Sequence, residues 1–381
     1  MAFVLFVVSR LLIAFGAFLA QKIVPYMGFF PYKEILVDYN LPSWISAFAS
    51  FDGVHYLLIA RQGYSQWEQA FFPLYPLSIR ALTFIIPNYL IAALTVSHVS
   101  FFIGLLFFNK WLKHWKIKTI FPLLLLLSFP TAFFFGVVYT EGLFFMLFIL
   151  SLYFLEKKRY GYAGLFAALS SATRLIGIFL VIPFFLSLLK EDKITFTYLF
   201  HTIKKHLLLL CSPFIGLASY MYYLFVTTHD PLFFFHSQPV FGANRSTKLI
   251  ILPQVYYRYM RIALTATHDF RWYISLVEMT IFTLVFVVLI FDLVYVVKQL
   301  LKSQTKNYYL LGLNIFSFAN LVLPTLTGTF SSIPRYSLFS LSFFLYLGQM
   351  KFFKLKIGVF LLFITLQIIL LSLFIQGYFI G

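Results

Sequence analysis

Apolar stretches of about twenty residues recur along almost the whole chain, and this pattern limits the fold more than any other feature. A helix needs roughly 20 mostly apolar residues to cross the hydrocarbon core of a bilayer. Segments of that kind lie near 2–24, 89–109, 119–138, 141–155, 161–189, 207–226, 274–297, 308–326, 335–350 and 357–376. The stretch 161–189 is too long for one span and is interrupted by Thr173-Arg174, so it reads as two short helices meeting near Arg174. Such a break is tolerated at membrane depth where it lines a cavity. The expected fold is an all-α integral membrane bundle of about eleven transmembrane helices in one domain, 1–381. Only 11% of the residues are charged, against about 25% in soluble domains, so the outer surface is expected to face lipid. The opening segment carries Arg10 in its middle and lacks a basic leader, which reads as a first membrane helix rather than a signal peptide.

The net charge of +17 does not point to nucleic acid, because the lysines sit between the apolar runs. KWLKHWKIK (110–118), Lys157, Lys158 and Arg159, Lys190, Lys193, Lys204 and Lys205, Lys298, Lys302 and Lys306, and Lys351, Lys354 and Lys356 fall in alternate short loops. The positive-inside rule places these loops and the N-terminus in the cytoplasm. Two long loops, 25–88 and 227–273, then lie outside. The remaining basic residues are Lys22, Lys33, Lys248, Arg10, Arg61, Arg80, Arg174, Arg245, Arg258, Arg261, Arg271 and Arg335. Most of these are arginine, whereas the inner ones are nearly all lysine. Topology requires only charge. Arginine adds a planar fork that grips phosphate or carboxylate bidentately, so these arginines, which apart from Arg10 fall on or near the outer side, point to an anionic ligand there. The alternative is pairing with outer acids such as Glu34, Asp38, Glu68, Asp230 and Asp269.

The segment FDGVHYLLIARQGYSQWEQAFFPLYPLSIR (51–80) is too polar to span and carries Trp67 and Tyr75, which suggests interfacial helices in the first outer loop. Asp52 precedes Gly53, and His55, Ile59 and Gln62 follow at helical spacing. Asp52 suits a helix N-cap as well as a proton acceptor. Glu141 opens a helix within YTEGLF; an acid at that depth is a functional candidate and equally a salt partner for Arg174. Glu278 and Asp292 read as structural pairs. The single cysteine, Cys211, can form no intramolecular disulfide. No His/Cys set has zinc spacing, and neither a Gly-rich phosphate loop nor an Asp-x-Asp pair is present, so no metal or cofactor is expected.

The run FDGVHYLLIARQGY followed by FFPLYP resembles the PIG-V family of mannosyltransferases. PTAFFFGVVYTEGLF (130–144), SATRLIG (171–177) and SSIPRYSLFSLSFF (331–344) are similar to it in the same order. Members of that family resemble the wider GT-C group, which takes sugars from polyprenyl-phosphate donors. The chain departs from the pattern at Phe51, where the family has tryptophan. The resemblance implies a GT-C-like bundle in the cell membrane, or in the endoplasmic reticulum membrane of a eukaryote, with its site on the non-cytoplasmic face. It implies an inverting hexosyl transfer from a polyprenyl-phosphate sugar donor to a glycan, lipid or protein acceptor. Asp52 would be the general base, and His55, Arg61, Tyr64, Tyr75, Arg80, Glu141, Arg174, Arg335 and Tyr336 would contact substrate. The rival reading is a transporter or flippase for an anionic lipid-linked substrate, although no internal repeat of the transporter kind is visible. A scaffold subunit would have no need of Asp52.

Overall fold

The computed structural model describes residues 1–27, 33–189, 195–241, 246, 248–302 and 308–380. Arg245, Lys190, Lys193 and Lys306 lie outside the described residues. Among those described, the secondary structure is entirely helical. Among the described residues, six helices are long and apolar enough to cross a membrane: Ala2–Ile23, Tyr89–His114, Leu207–Thr228, Phe270–Lys302, Tyr309–Thr327 and Phe353–Ile375. The chain is therefore an all-α membrane protein.

Of the other apolar runs, 141–155 forms one helix, Glu141–Glu156, and three are built from shorter pieces. In 119–138, the helix Phe121–Ser128 ends at Phe129, whose ψ of 140° is extended. Pro130 follows, and its ring disfavours a helical conformation at the preceding residue. A 3₁₀ turn, Ala132–Gly136, carries the chain on to Glu141. The run 161–189 divides as the sequence leads one to expect: Tyr160–Ser171 stops, Arg174 is extended, and helix resumes over Leu175–Leu188. The run 335–350 splits into the single turn Ile333–Tyr336 and the helix Leu341–Gln349. All three interruptions fall around one end of the bundle.

Glu141–Glu156 is the central helix and is buried on nearly every side. It packs along Tyr89–His114 and Tyr160–Ser171, and the latter packs on Leu207–Thr228. Lipid offers apolar side chains as good a solvent as a neighbouring helix, so helices associate through close van der Waals fit and small residues. Gly216 supplies such a fit, since a Cβ there would collide with the Ala168 carbonyl and the Ala172 amide. Phenylalanines fill much of the core between helices, for example the stacked pair Phe101–Phe135 at 4.3 Å.

The two ends of the bundle differ chemically. Glu141 opens the central helix and Lys157 directly follows it, about 24 Å away at 1.5 Å per residue. At the lysine end, His114 lies 3.5 Å from Lys157 and 3.7 Å from Glu156, which brings two lysine-bearing turns together. At the other end, the start of Phe270–Lys302 is pinned by Phe270 against Tyr378, with ring centroids 4.8 Å apart.

Candidate active site

Four segments far apart in sequence converge at the end opposite the lysines. The cap position expected for Asp52 is taken by Phe51, and Asp52 is the first residue of the helix Asp52–Gln62. Its carboxylate accepts a hydrogen bond from Arg335 Nη1 at 3.0 Å. The Asp52 amide donates to Tyr139 Oη at 3.2 Å, and the same hydroxyl donates to the Ser50 carbonyl at 3.2 Å. Tyr139 thus fixes the chain on both sides of Phe51, whose φ of +59° lies in a region that bulky residues rarely adopt. The Phe51 ring packs on Phe374 and Phe379 at 5.6 and 5.3 Å.

Glu141 is the second carboxylate. Its side chain is fully buried, and it pairs with two arginines: Arg174 through Nη1, and Arg335 with Nε 3.3 Å from Glu141 Oε1. Arg174 also donates to Thr140 Oγ1 at 2.9 Å. Aromatic faces complete the cradle. The Arg174 guanidinium lies 5.0 Å from the Tyr336 ring, and that of Arg335 lies 5.1 Å from Tyr139 and 5.4 Å from Phe134. Two carboxylates thus balance two guanidiniums. An unpaired charge in so dry a place would cost several kcal/mol, which explains why the charges come as a matched set.

This set forms the polar wall of a cavity of about 280 Å³. Asp52, Glu141, Arg174 and Arg335 line it together with Thr140, Thr173, Ser331 and Ser332. The rest of the lining is largely apolar and includes Phe71, Phe72, Phe179, Phe234, Leu323 and Pro324. Leu175 and Leu323 lie on its rim and keep 39% of their surface exposed. The segment carrying Phe234 and Gln238 is fastened by His236, whose Nδ1 lies 2.7 Å from Asp230 Oδ2. The His236 hydrogen bond holds the Asp230 carboxyl below its ordinary range.

Of the residues singled out in the sequence, Asp52, Glu141, Arg174, Arg335 and Tyr336 come together in this cavity. The others are placed elsewhere. His55 lies outside the lining, 3.2 Å from Glu68 and stacked on Phe71. Tyr64 donates to the Phe71 carbonyl at 2.8 Å and so braces the apolar wall from behind. Tyr75 is completely buried, with its hydroxyl on the Ala93 carbonyl and Ser97, and has no ring face free to stack on a sugar. Arg80 donates to the Ala60 carbonyl at 2.6 Å, near the end of the Asp52 helix. Arg61 is exposed, away from the cavity. Among the described residues, the outer acids do not serve as arginine partners: Glu68 meets His55 and Asp230 meets His236. Glu278 and Asp292 are structural, accepting from Tyr259 Oη at 2.8 Å and Asn314 Nδ2 at 2.7 Å.

Tyr139, Thr140, Phe71 and Phe72 were not singled out as site residues, though each sits inside a quoted motif. Gln238, Thr327 and Phe379 also line the cavity, and no local pattern marks them. Among the described residues, no three His, Cys, Asp or Glu side chains gather as a metal site would need.

The fold and site define a helical membrane protein with a charge-balanced, half-apolar cleft at one end of its bundle. Compared with known proteins, the chain matches no family model. No curated protein or solved structure is significantly similar to it.

Proposed function

We propose that the protein is a membrane glycosyltransferase of the GT-C kind, transferring a hexose, with mannose the first candidate, from a polyprenyl-phosphate donor. The observation that carries this reading is the cavity itself. Its lining joins two carboxylates and two guanidiniums to a group of apolar side chains, of which Leu175 and Leu323 are partly exposed. A phosphate joined to a hydrocarbon chain has that same division of chemistry.

In the proposed reaction, the acceptor hydroxyl attacks the anomeric carbon from the side opposite the phosphate. The new C–O bond forms as the bond from the anomeric carbon to the phosphate oxygen breaks, and the electron pair leaves with the phosphate. The hydroxyl proton passes to the Asp52 carboxylate. General base catalysis of this kind is worth about 10²–10⁴-fold. Arg335 and Arg174 face the charge that develops on the leaving phosphate, and donors fixed in a dry site stabilise such charge most effectively. The lysine-rich end would lie in the cytoplasm, so the site would open on the non-cytoplasmic side of the cell membrane. The short helices around the cleft would belong to a bundle of about eleven membrane segments.

The test is to incubate the purified protein with labelled polyprenyl-phosphate mannose and native membranes and to identify the labelled product. Label appearing in a glycan, lipid or protein supports the reading. Donor that crosses proteoliposome membranes without losing its sugar rejects transferase activity in favour of a flippase.

A further inference from the structure

The four charges of the cleft are not equivalent. Arg335 is shared by two carboxylates, through Nη1 to Asp52 and through Nε to Glu141. The Asp52 side chain is 25% exposed, whereas that of Glu141 is completely buried. Glu141 also holds Arg174, so it ties the two guanidiniums to each other. Asp52 has no such second ionic partner among the described residues, and it faces the cavity. The cleft at rest is therefore neutral, and the fork that a phosphate would seek is already occupied by the side chain that would act as base.

We propose that a donor phosphate binds by counterion exchange: it replaces Asp52 on Arg335, while Glu141, a positioning residue, holds both guanidiniums in place throughout. This rests on the proposed transferase reading and deepens it. With Arg335 turned to phosphate, the Asp52 carboxylate is released to accept a proton. Before the donor arrives, the same carboxylate is engaged and the base is masked, so water is not activated in an empty site.

Exchange of this kind has physical support on each side. Asp52 is the more exposed of the two carboxylates, 25% against 0%, so it parts from Arg335 at lower cost than Glu141 would, and the incoming phosphate restores the charge balance. A phosphate offers several oxygens to the guanidinium, and charge-assisted bonds to it are among the strong ones. The buried pairs at Glu141 are costly to break because they would leave uncompensated charge in a dry site. The fixed and the exchangeable partner are thus distinguished by burial.

The inference makes a prediction opposite to that of a simple binding residue. If Asp52 competes with phosphate for Arg335, its removal tightens phosphate binding even as transfer is lost. The experiment measures binding of farnesyl phosphate, a short polyprenyl phosphate, to detergent-purified wild type, Asp52→Asn, Asp52→Ala and Glu141→Gln. Thermal unfolding of each variant is followed in parallel. Farnesol and inorganic phosphate are the controls that separate the contributions of the chain and the headgroup.

The expected result is a Kd for farnesyl phosphate lowered roughly two- to tenfold in both Asp52 variants, a difference of about 0.4–1.4 kcal/mol. Glu141→Gln should bind more weakly than wild type, although it too removes a negative charge. Unchanged or weaker binding by a folded Asp52 variant, with clear binding by wild type, overturns the exchange and leaves the donor assignment standing. Equal tightening in Asp52→Asn and Glu141→Gln reduces the effect to bulk charge and overturns the separate roles. Should Glu141→Gln not fold, the two Asp52 variants decide the exchange alone. A wild type and variants that all fail to bind farnesyl phosphate overturn the exchange together with the donor assignment.

Discussion

Arg335 Nη1 reaches Asp52 Oδ2 at 3.0 Å although 283 positions separate the two residues. The link joins the start of the helix Asp52–Gln62 to the single turn Ile333–Tyr336. That turn is set up by Ser332, which has a φ of +66° and whose carbonyl accepts from the Arg335 amide at 3.0 Å. The charge centre of the cleft is therefore assembled by tertiary folding and belongs to no single motif.

The first prediction concerns the fork of Arg335. Its two contacts come from different nitrogens, Nη1 to Asp52 and Nε toward Glu141, and a lysine ammonium at that position reaches one partner at most. Arg335→Lys keeps the charge and should weaken donor use on the order of 10- to 100-fold, the equivalent of one charge-assisted hydrogen bond of ~1.5–3 kcal/mol. Lys302→Ala, at the far end of Phe270–Lys302, should leave transfer unchanged. Steady-state transfer across a range of donor concentrations separates the two. Wild-type behaviour of Arg335→Lys would remove Arg335 from donor binding.

A second prediction concerns the ends of the bundle. In a Cys211→Ser background, needed because Cys211 is exposed, Gln62→Cys should react with a membrane-impermeant maleimide in intact cells. Lys302→Cys should react only after the cells are opened. Phe270–Lys302 is a continuous helix of 33 residues, about 50 Å long at 1.5 Å per residue, so its two ends have room to lie on opposite sides. The reverse labelling pattern would put the cleft in the cytoplasm.

A third prediction separates two glycines that look alike in sequence. A Cβ on Gly136 would run into Arg10 Nη1 and the His98 ring, whereas one on Gly161 meets nothing within 4 Å. The Arg10 guanidinium lies 5.0 Å from the Phe101 ring, with both terminal nitrogens buried. Gly136→Ala should destabilise the purified protein by about 1–3 kcal/mol, the usual cost of overpacking. Gly161→Ala, in the first turn of Tyr160–Ser171, should raise stability by about 0.4–1 kcal/mol by restricting the unfolded chain. Melting curves in detergent report both. Equal shifts would show that Arg10 is not packed as described.

What the sequence revealed of this architecture follows from the range of the interactions involved. Six long spans, the break at Arg174 and the lysine-rich ends were legible because hydropathy and loop charge are local properties. The division of 119–138 was not anticipated, although Pro130 was its signal, because the run is apolar enough to suggest one uninterrupted helix. In the site, Asp52 and Arg335 were singled out through the motifs they sit in, and Glu141 and Arg174 because ionisable groups at membrane depth are rare. Their pairing was not, because it depends on how four separate segments meet. Tyr75 and Arg80 misled for the same reason: the one is sealed behind Ser97 and the other is spent on the Ala60 carbonyl. Neither fact is encoded near those residues.

The last prediction concerns Asp52 and separates two roles that the sequence left open. Asparagine caps helices about as well as aspartate, so a capping residue should tolerate Asp52→Asn. In the structure Phe51 holds the cap position and the Asp52 carboxylate turns to Arg335, so the substitution keeps an oxygen for Arg335 and removes the charge and basicity. The amide oxygen still accepts from Arg335 and Glu141 keeps a negative charge beside that guanidinium, so the variant should still fold. Its transfer rate should nevertheless fall on the order of 10²–10⁴-fold, the contribution of a general base. The measurement is transfer per folded molecule, with folding verified by thermal unfolding and with Asp52→Glu as a companion. Glutamate restores the charge but displaces it by one methylene, and a base held to within an ångström of its target should recover only part of the rate. Near-normal transfer by a folded Asp52→Asn would rule out proton abstraction by this carboxylate and would send the search for a base to Glu141, the other acid that lines the cavity.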